Sequence, residues 1–236
     1  EPSTTTDLYG NFVLNSNGFT GPLVMVGGTD TGTGELFTGT MTAPAGSTVV
    51  SPLTSAIQAL IKDGSSAADA ETIIKTTLGI DPTVKLTTFN PFTATENDAG
   101  KVKSVLAAQS QLQVIVHAVS TTVAKAGATE IKDSMASAMK EVAKGLKAAN
   151  ATSAVAVNTA TLTSIATTAV TNTANTVYAS NLVAKVAAQL VAADSAKVAV
   201  AQADYTKTKI TDSNTAASAV SESNTGITTA NTTMQT

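Results

Sequence analysis

Apolar positions recur along this chain with two different periods, and the change from one to the other falls near residue 51. Before it, short apolar runs are separated by Gly and Asn, as antiparallel hairpins require. Phe12-Val13-Leu14 follows a turn at Tyr9-Gly10, Leu23-Val24-Met25-Val26 is closed by Gly27-Gly28, and residues 36–42 mix Thr and Gly with larger side chains. Two or three strands are expected there. A sheet that small is marginal in water and has to pack on helices or borrow strands.

After residue 51 the period becomes helical. Ser51-Pro52 reads as an N-cap followed by Pro at the first helical position. Leu53, Ile57, Leu60 and Ile61 then recur at helical spacing, up to Gly64. Ser66 opens a second helix with Ala70, Ile73, Ile74 and Leu78 on its apolar face, and Gly79 closes it. Residues 86–92 form an irregular connector with a turn at Asn90-Pro91. Val102, Val105, Leu106, Leu112, Ile115, Val116, Val119 and Val123 mark one long helix; Ile131, Met135, Met139, Val142 and Leu146 mark the next. The spacing thus predicts helices over residues 52–63, 66–78, 98–125 and 129–148. A weaker segment carries Leu162, Ile165, Val170 and Val177, and a stronger one covers residues 182–200 and runs on toward Tyr205 or Ile210. Residues 211–236 are polar, with Val220 and Ile227 isolated. Pattern alone reads that tail as disordered; packing would make it a helix or an extended strand. The expected fold class is α+β, with a short N-terminal antiparallel β portion over residues 1–50, a mainly α-helical elongated bundle over residues 51–210, and a polar tail.

Composition narrows the function classes. The chain is 43% hydrophobic but only 3% aromatic, and most of its apolar residues are Ala and Val. A core of such residues is thin and needs close backbone approach. Isolated helices of this kind are marginal, so bundling has to stabilise them. Fourteen basic residues stand against 17 acidic ones, for a net charge of -3, which offers no phosphate-tracking surface and argues against nucleic acid as a partner. No apolar run reaches the roughly 18 residues of a membrane span. A charge-poor, Thr-rich, cysteine-free chain fits an exported bacterial protein. The chain shows no signal peptide and does not start with Met, and is expected to be a processed product or an excised piece.

Candidate chemistry is sparse. His117 is the single histidine; it reads as a structural or surface residue, because no Cys or second His can complete a zinc site. No serine sits in a nucleophile elbow. Gly27-Gly28-Thr29 and Gly32-Thr33-Gly34 lack the lysine of a phosphate loop and read as turns. Glu1, Asp7, Asp30 and Glu35 lie in the β portion, where hard oxygen ligands in Gly- and Asn-rich turns can bind calcium. Asp69, Glu71, Asp81, Glu96 and Asp98 read as caps or first-turn acids. Lys132, Lys140, Lys144 and Lys147 form a modest basic stripe, read as a solvated face. Asn150-Ala151-Thr152 and Asn231-Thr232-Thr233 fit the glycosylation acceptor pattern, which Thr-rich sequence produces often by chance.

Two stretches carry a resemblance. Glu1-Pro2-Ser3-Thr4-Thr5-Thr6-Asp7-Leu8-Tyr9-Gly10-Asn11-Phe12-Val13-Leu14 is similar to the segment that follows a calcium loop in B-type repeat domains of bacterial surface proteins. The resemblance implies that Glu1 is the closing ligand of a twelve-position loop and Asp7 a further acidic position near it, with the earlier positions lying before this chain. Tight calcium binding is then expected to need that upstream sequence. The second stretch is Gly21-Pro22-Leu23-Val24-Met25-Val26-Gly27-Gly28-Thr29-Asp30, with Phe37-Thr38-Gly39-Thr40-Met41-Thr42-Ala43-Pro44-Ala45-Gly46 and Val49-Val50-Ser51-Pro52-Leu53-Thr54. It continues through Gly64, Ala70 and Leu78-Gly79-Ile80 to Leu86-Thr87-Thr88-Phe89-Asn90-Pro91. It resembles a module of very large secreted, adhesin-type proteins of proteobacteria and cyanobacteria. The resemblance covers about residues 1–145 and implies a truncated Ig-like or B-type β portion at the start; residues from about 150 onward carry none.

Together these readings point to a structural or adhesive module, secreted or at the bacterial cell surface, that forms a homo-oligomer or polymer and contacts surface glycans. The alternative is a module that binds a glycan, a small ligand or haem. An enzyme is not expected, since convergent acid, base and nucleophile groups are too few. Self-association is expected at strand edges carrying Phe12, Val13, Val24 and Val26, which lack the Pro or Lys that discourages pairing. The tail is a candidate strand donor.

Overall fold

The computed structural model describes residues 2–15 and 17–235. Two antiparallel strands precede a helical bundle, so the α+β, mainly helical architecture is as the sequence predicts. Strand β1 (Leu23–Val26) pairs with β2 (Thr40–Ala43), Leu23 opposite Ala43 and Val26 opposite Thr40. A single bridge between Thr29 and Leu36 closes the loop between them. Seven α-helices follow among the described residues: α1 (Pro52–Lys62), α2 (Ala67–Leu78), α3 (Ala99–Gly127), α4 (Ile131–Thr152), α5 (Thr159–Val177), α6 (Leu182–Thr211) and α7 (Ala216–Gln235).

The helix starts follow local chemistry. Ser51 Oγ accepts from the Thr54 N–H while Thr54 Oγ1 accepts from the Ser51 N–H, a reciprocal capping box. Ser66, Asn158 and Asn181 cap α2, α5 and α6 in the same sense, each through its side-chain oxygen. Gly79, at φ 70°, ends α2 in the left-handed conformation that glycine adopts without strain. Thr215 and Ser218 cap α7 reciprocally, and Glu96 adds a carboxylate that accepts from the Ala216 N–H across 120 residues of sequence.

Helices α3 and α6, of 29 and 30 residues, are the long axes of the bundle. Helix α6 packs on α3, α5 and α7, and α4 packs on α3, α5, α1 and α2. Leu53, Ile57, Ile74, Leu112, Ile115 and Leu146 centre the main core, and a smaller cluster joins Val102 and Leu106 to Ile210 and Ala219. Small residues let the helices close in. A Cβ on Gly226 of α7 would stand 2.2 Å from the Thr206 methyl of α6, so only glycine admits this approach. The accessible surface, 11364 Å² for 23.6 kDa, exceeds the roughly 9,800 Å² of a compact monomer of that mass. The long helices and the exposed N-terminal segment account for the excess.

Three details differ from the sequence reading. Phe12, Val13 and Leu14 are not a strand: the segment pairs with no described residue, and Val13 is 89% exposed. A three-residue run buries no face of its own, and the turn at Asp7 ties its start locally. The strand expected over residues 36–42 begins only at Thr40, because the chain from Gly27 to Leu36 is taken up by the loop. Pattern alone reads the tail as disordered, but it takes the helical alternative, as α7 laid against α3 and α6. Threonines in α5, α6 and α7 turn their hydroxyls back onto the carbonyl four residues earlier, as Thr163, Thr167, Thr208, Thr211 and Thr229 do. Their polar groups are satisfied within their own helices.

Candidate functional site

The hairpin is held by the first turn of α1. The Thr42 N–H donates to Ser55 Oγ at 2.9 Å, and the Thr42 carbonyl accepts from the hydroxyls of Thr54 and Ser55, both at 3.1 Å. That fastening occupies β2. Among the described residues strand β1 is paired on one side alone, and Val24 and Val26 share one of its faces, 60% and 74% exposed. Unpaired backbone beside bare valines is a template for another strand.

The loop between the strands faces α7. Asp30 Oδ1 accepts from the N–H groups of Gly32 and Thr33, which fixes the loop. Glu35 accepts from Asn231 Nδ2 of α7. Between Gly32 and Thr33 on one side and Ser221, Asn224, Thr225 and Thr228 on the other lies an open polar cleft of about 390 Å³. Hydroxyls and one amide line it. A second, smaller cleft of about 270 Å³ lies where Gly79 and Gly100 meet Lys103, Lys207 and Thr211. Lys103 is already committed there, donating to the carbonyls of Thr211 and Ser213 at the end of α6.

His117 lies on α3, half-buried, with Nε2 lacking a hydrogen-bond partner. Burial holds its imidazole below the usual value, and the carboxylate of Glu35 pulls weakly the other way. Neither cleft is lined by it.

Of the expected calcium ligands, Glu1 lies outside the described residues. Asp7 serves its own turn: Oδ1 accepts from the N–H groups of Tyr9 and Asn11, and Oδ2 accepts from Asn11 Nδ2. These bonds hold its carboxyl below the ordinary range, and a cation would have to compete with three donors. Among the described residues no three acidic or imidazole groups gather in a metal-ligating arrangement. The lysine stripe divides: Lys144 pairs with Glu141 and Lys147 with Asp63, while Lys132 and Lys140 stand in solvent. Both glycosylation patterns fall inside helices, and Asn231 spends its amide on Glu35.

One feature escaped the apolar pattern. The buried seam of α6 is mostly alanine, Ala184, Ala188, Ala192, Ala196, Ala199 and Ala203, with Val200, Thr206 and Ile210 in its C-terminal half, while Val183, Leu190 and Tyr205 are 81%, 77% and 60% exposed. The signal was present as Ala at intervals of three and four, but the larger residues masked it. No helix among the described residues is long and apolar enough to cross a membrane. No family model, no curated protein and no solved structure matches the chain.

Proposed function

We propose that the chain is a structural or adhesive component of the bacterial exterior, secreted or held at the cell surface, that associates with copies of itself. The observation that carries this reading is the open edge of β1. Strand addition along it would pair the free backbone groups and cover Val24 and Val26. A surface of Thr, Ser and Asn with little charge supports an extracellular setting. Contact rather than catalysis is the activity proposed. Calcium, if it acts at this end through Asp7, needs ligands beyond the described residues.

The test is the mass of the whole chain by light scattering as concentration rises, with electron microscopy of the same samples. Growth of mass with concentration is expected, and a Val24→Lys/Val26→Lys variant should assemble less while keeping its helical signal. A strictly monomeric chain at high concentration would sink the reading. A second reading, glycan binding, has the hydroxyl-lined cleft beside Asn224 as its observation. Retention on a glycan surface that disappears in Asn224→Ala would favour it.

A further inference from the structure

Helix α6 carries large apolar residues on its outer face, among a few charged and polar ones. Its mostly alanine seam faces α3, α5 and α7, yet Val183, Leu190 and Tyr205 are largely exposed on the other side, and Val186, Val191 and Val198 about half so. A soluble bundle helix ordinarily turns its large apolar residues inward and polar ones outward, and exposed apolar side chains in a row mark a contact surface. We infer that the outer face of α6 is the contact between two copies of this chain, packed antiparallel about a two-fold axis near Asp194. The inference rests on the self-association reading and names its surface.

Three observations select a second copy as the occupant. The first is that the stripe reads alike in both directions. From Val183 it runs through Ala187, Leu190, Asp194, Val198 and Ala201 to Tyr205, at steps of three and four that keep one helix face. Turned about Asp194, Val183 meets Tyr205 of the second copy, Ala187 meets Ala201 and Leu190 meets Val198. Large residues then oppose large ones at the ends and on either side of the central Asp194 pair, with alanines between them; Val186 and Val191, off this line, fall opposite Gln202 and Lys197. A two-fold contact requires such a self-matching pattern, and an unrelated partner does not.

The second observation is charge. Asp194 and Lys197 are both well exposed and sit one turn apart, bonded to each other at 3.5 Å. They are the charged pair at the centre of an otherwise uncharged stripe. Across the axis, Asp194 of each copy comes within reach of Lys197 of the other, so each of the two facing carboxylates has an ammonium on either side. The arrangement fixes the register, as a polar group does at a helix–helix seam.

The third is area. The stripe is roughly 33 Å long at about 1.5 Å per residue. Its six large side chains present on the order of 600 Å², before the alanines are added, beside the roughly 800 Å² that each partner contributes to a standard interface. The face is therefore of the size a stable dimer uses.

The test uses the full chain. Sedimentation of the unaltered protein should show a dimer or multiples of it. Leu190→Glu, a good helix former at an exposed position, should raise the dissociation constant at least tenfold with the circular dichroism signal unchanged. Asp194→Lys and Lys197→Asp should each weaken association, and the double exchange should restore it. The chain contains no cysteine, so Asp194→Cys supplies a single thiol at the axis; mild oxidation should cross-link it into dimers, whereas Lys132→Cys on α4 should stay monomeric on the same gel. Association unchanged in Leu190→Glu, with no cross-link through Asp194→Cys, would overturn the α6 contact and leave self-association standing by another face. An unaltered chain that never associates would remove the parent reading as well.

Discussion

His117 gives the fold a pH dependence whose sign follows from its surroundings. Its ordinary value is near 6.5, and burial in α3 lowers it in the folded chain. The unfolded chain therefore takes up a proton first as pH falls. The stability associated with a neutral His117 is complete above about pH 6.5 and is lost as pH drops from there through the folded value. Thermal unfolding at about pH 7.5 and pH 5.5 should show a lower midpoint in acid, and His117→Gln should flatten the difference. A midpoint that rises in acid would contradict this account, and would place the Glu35 attraction above the burial cost. From sequence, the histidine was legible as structural. Its nearness to Glu35 was not, since 82 residues separate them and the loop that joins them has no periodic signal.

At the scale of elements, the hairpin depends on α1 rather than on its own pairing. Two strands of four residues are too few to stand alone. Ser55→Ala removes the acceptor of the Thr42 N–H and one donor to its carbonyl. The cost expected for groups left unpaired is about 1–3 kcal/mol. Hydrogen exchange at the Thr42 amide should quicken while exchange within α3 and α6 stays slow; equal acceleration everywhere would mean that the clamp is part of the global fold. The same comparison shows where periodicity is a sound guide. It located α1 to α4 because Leu, Ile and Val in them face inward. In α7 the inward positions are Ala216, Ala219, Ser223, Ile227 and Ala230, so the helical spacing is carried by small residues that score as polar or neutral. In α6 the large residues gave the right element, but most of the buried face is carried by alanines. Helix α4 runs on to Thr152 because Ala148, Ala149 and Ala151 favour the helix regardless of burial. Phe12-Val13-Leu14 failed for the opposite reason: strand propensity without a neighbouring strand has no pairing to express.

At the scale of the whole molecule, the β1 edge and the outside of α6 are the two faces proposed as contacts. Were both used, each copy would contact two others, and the assembly would grow as an open chain unless the two contacts closed on themselves. The way the surface is satisfied has a consequence of its own. Threonine hydroxyls fold back onto their helices, and the four ion pairs found among the described residues are partly or well exposed. Such pairs contribute about 0–1 kcal/mol each. Raising sodium chloride from about 0.1 M to about 1 M shortens the screening length from about 10 Å to about 3 Å, yet there is little attraction here for it to weaken. The melting midpoint should stay within a few degrees across that range, and a steep fall would show that the charges matter more than their geometry indicates. A body built this way keeps its shape as the salinity of its surroundings changes, because its cohesion owes little to charge.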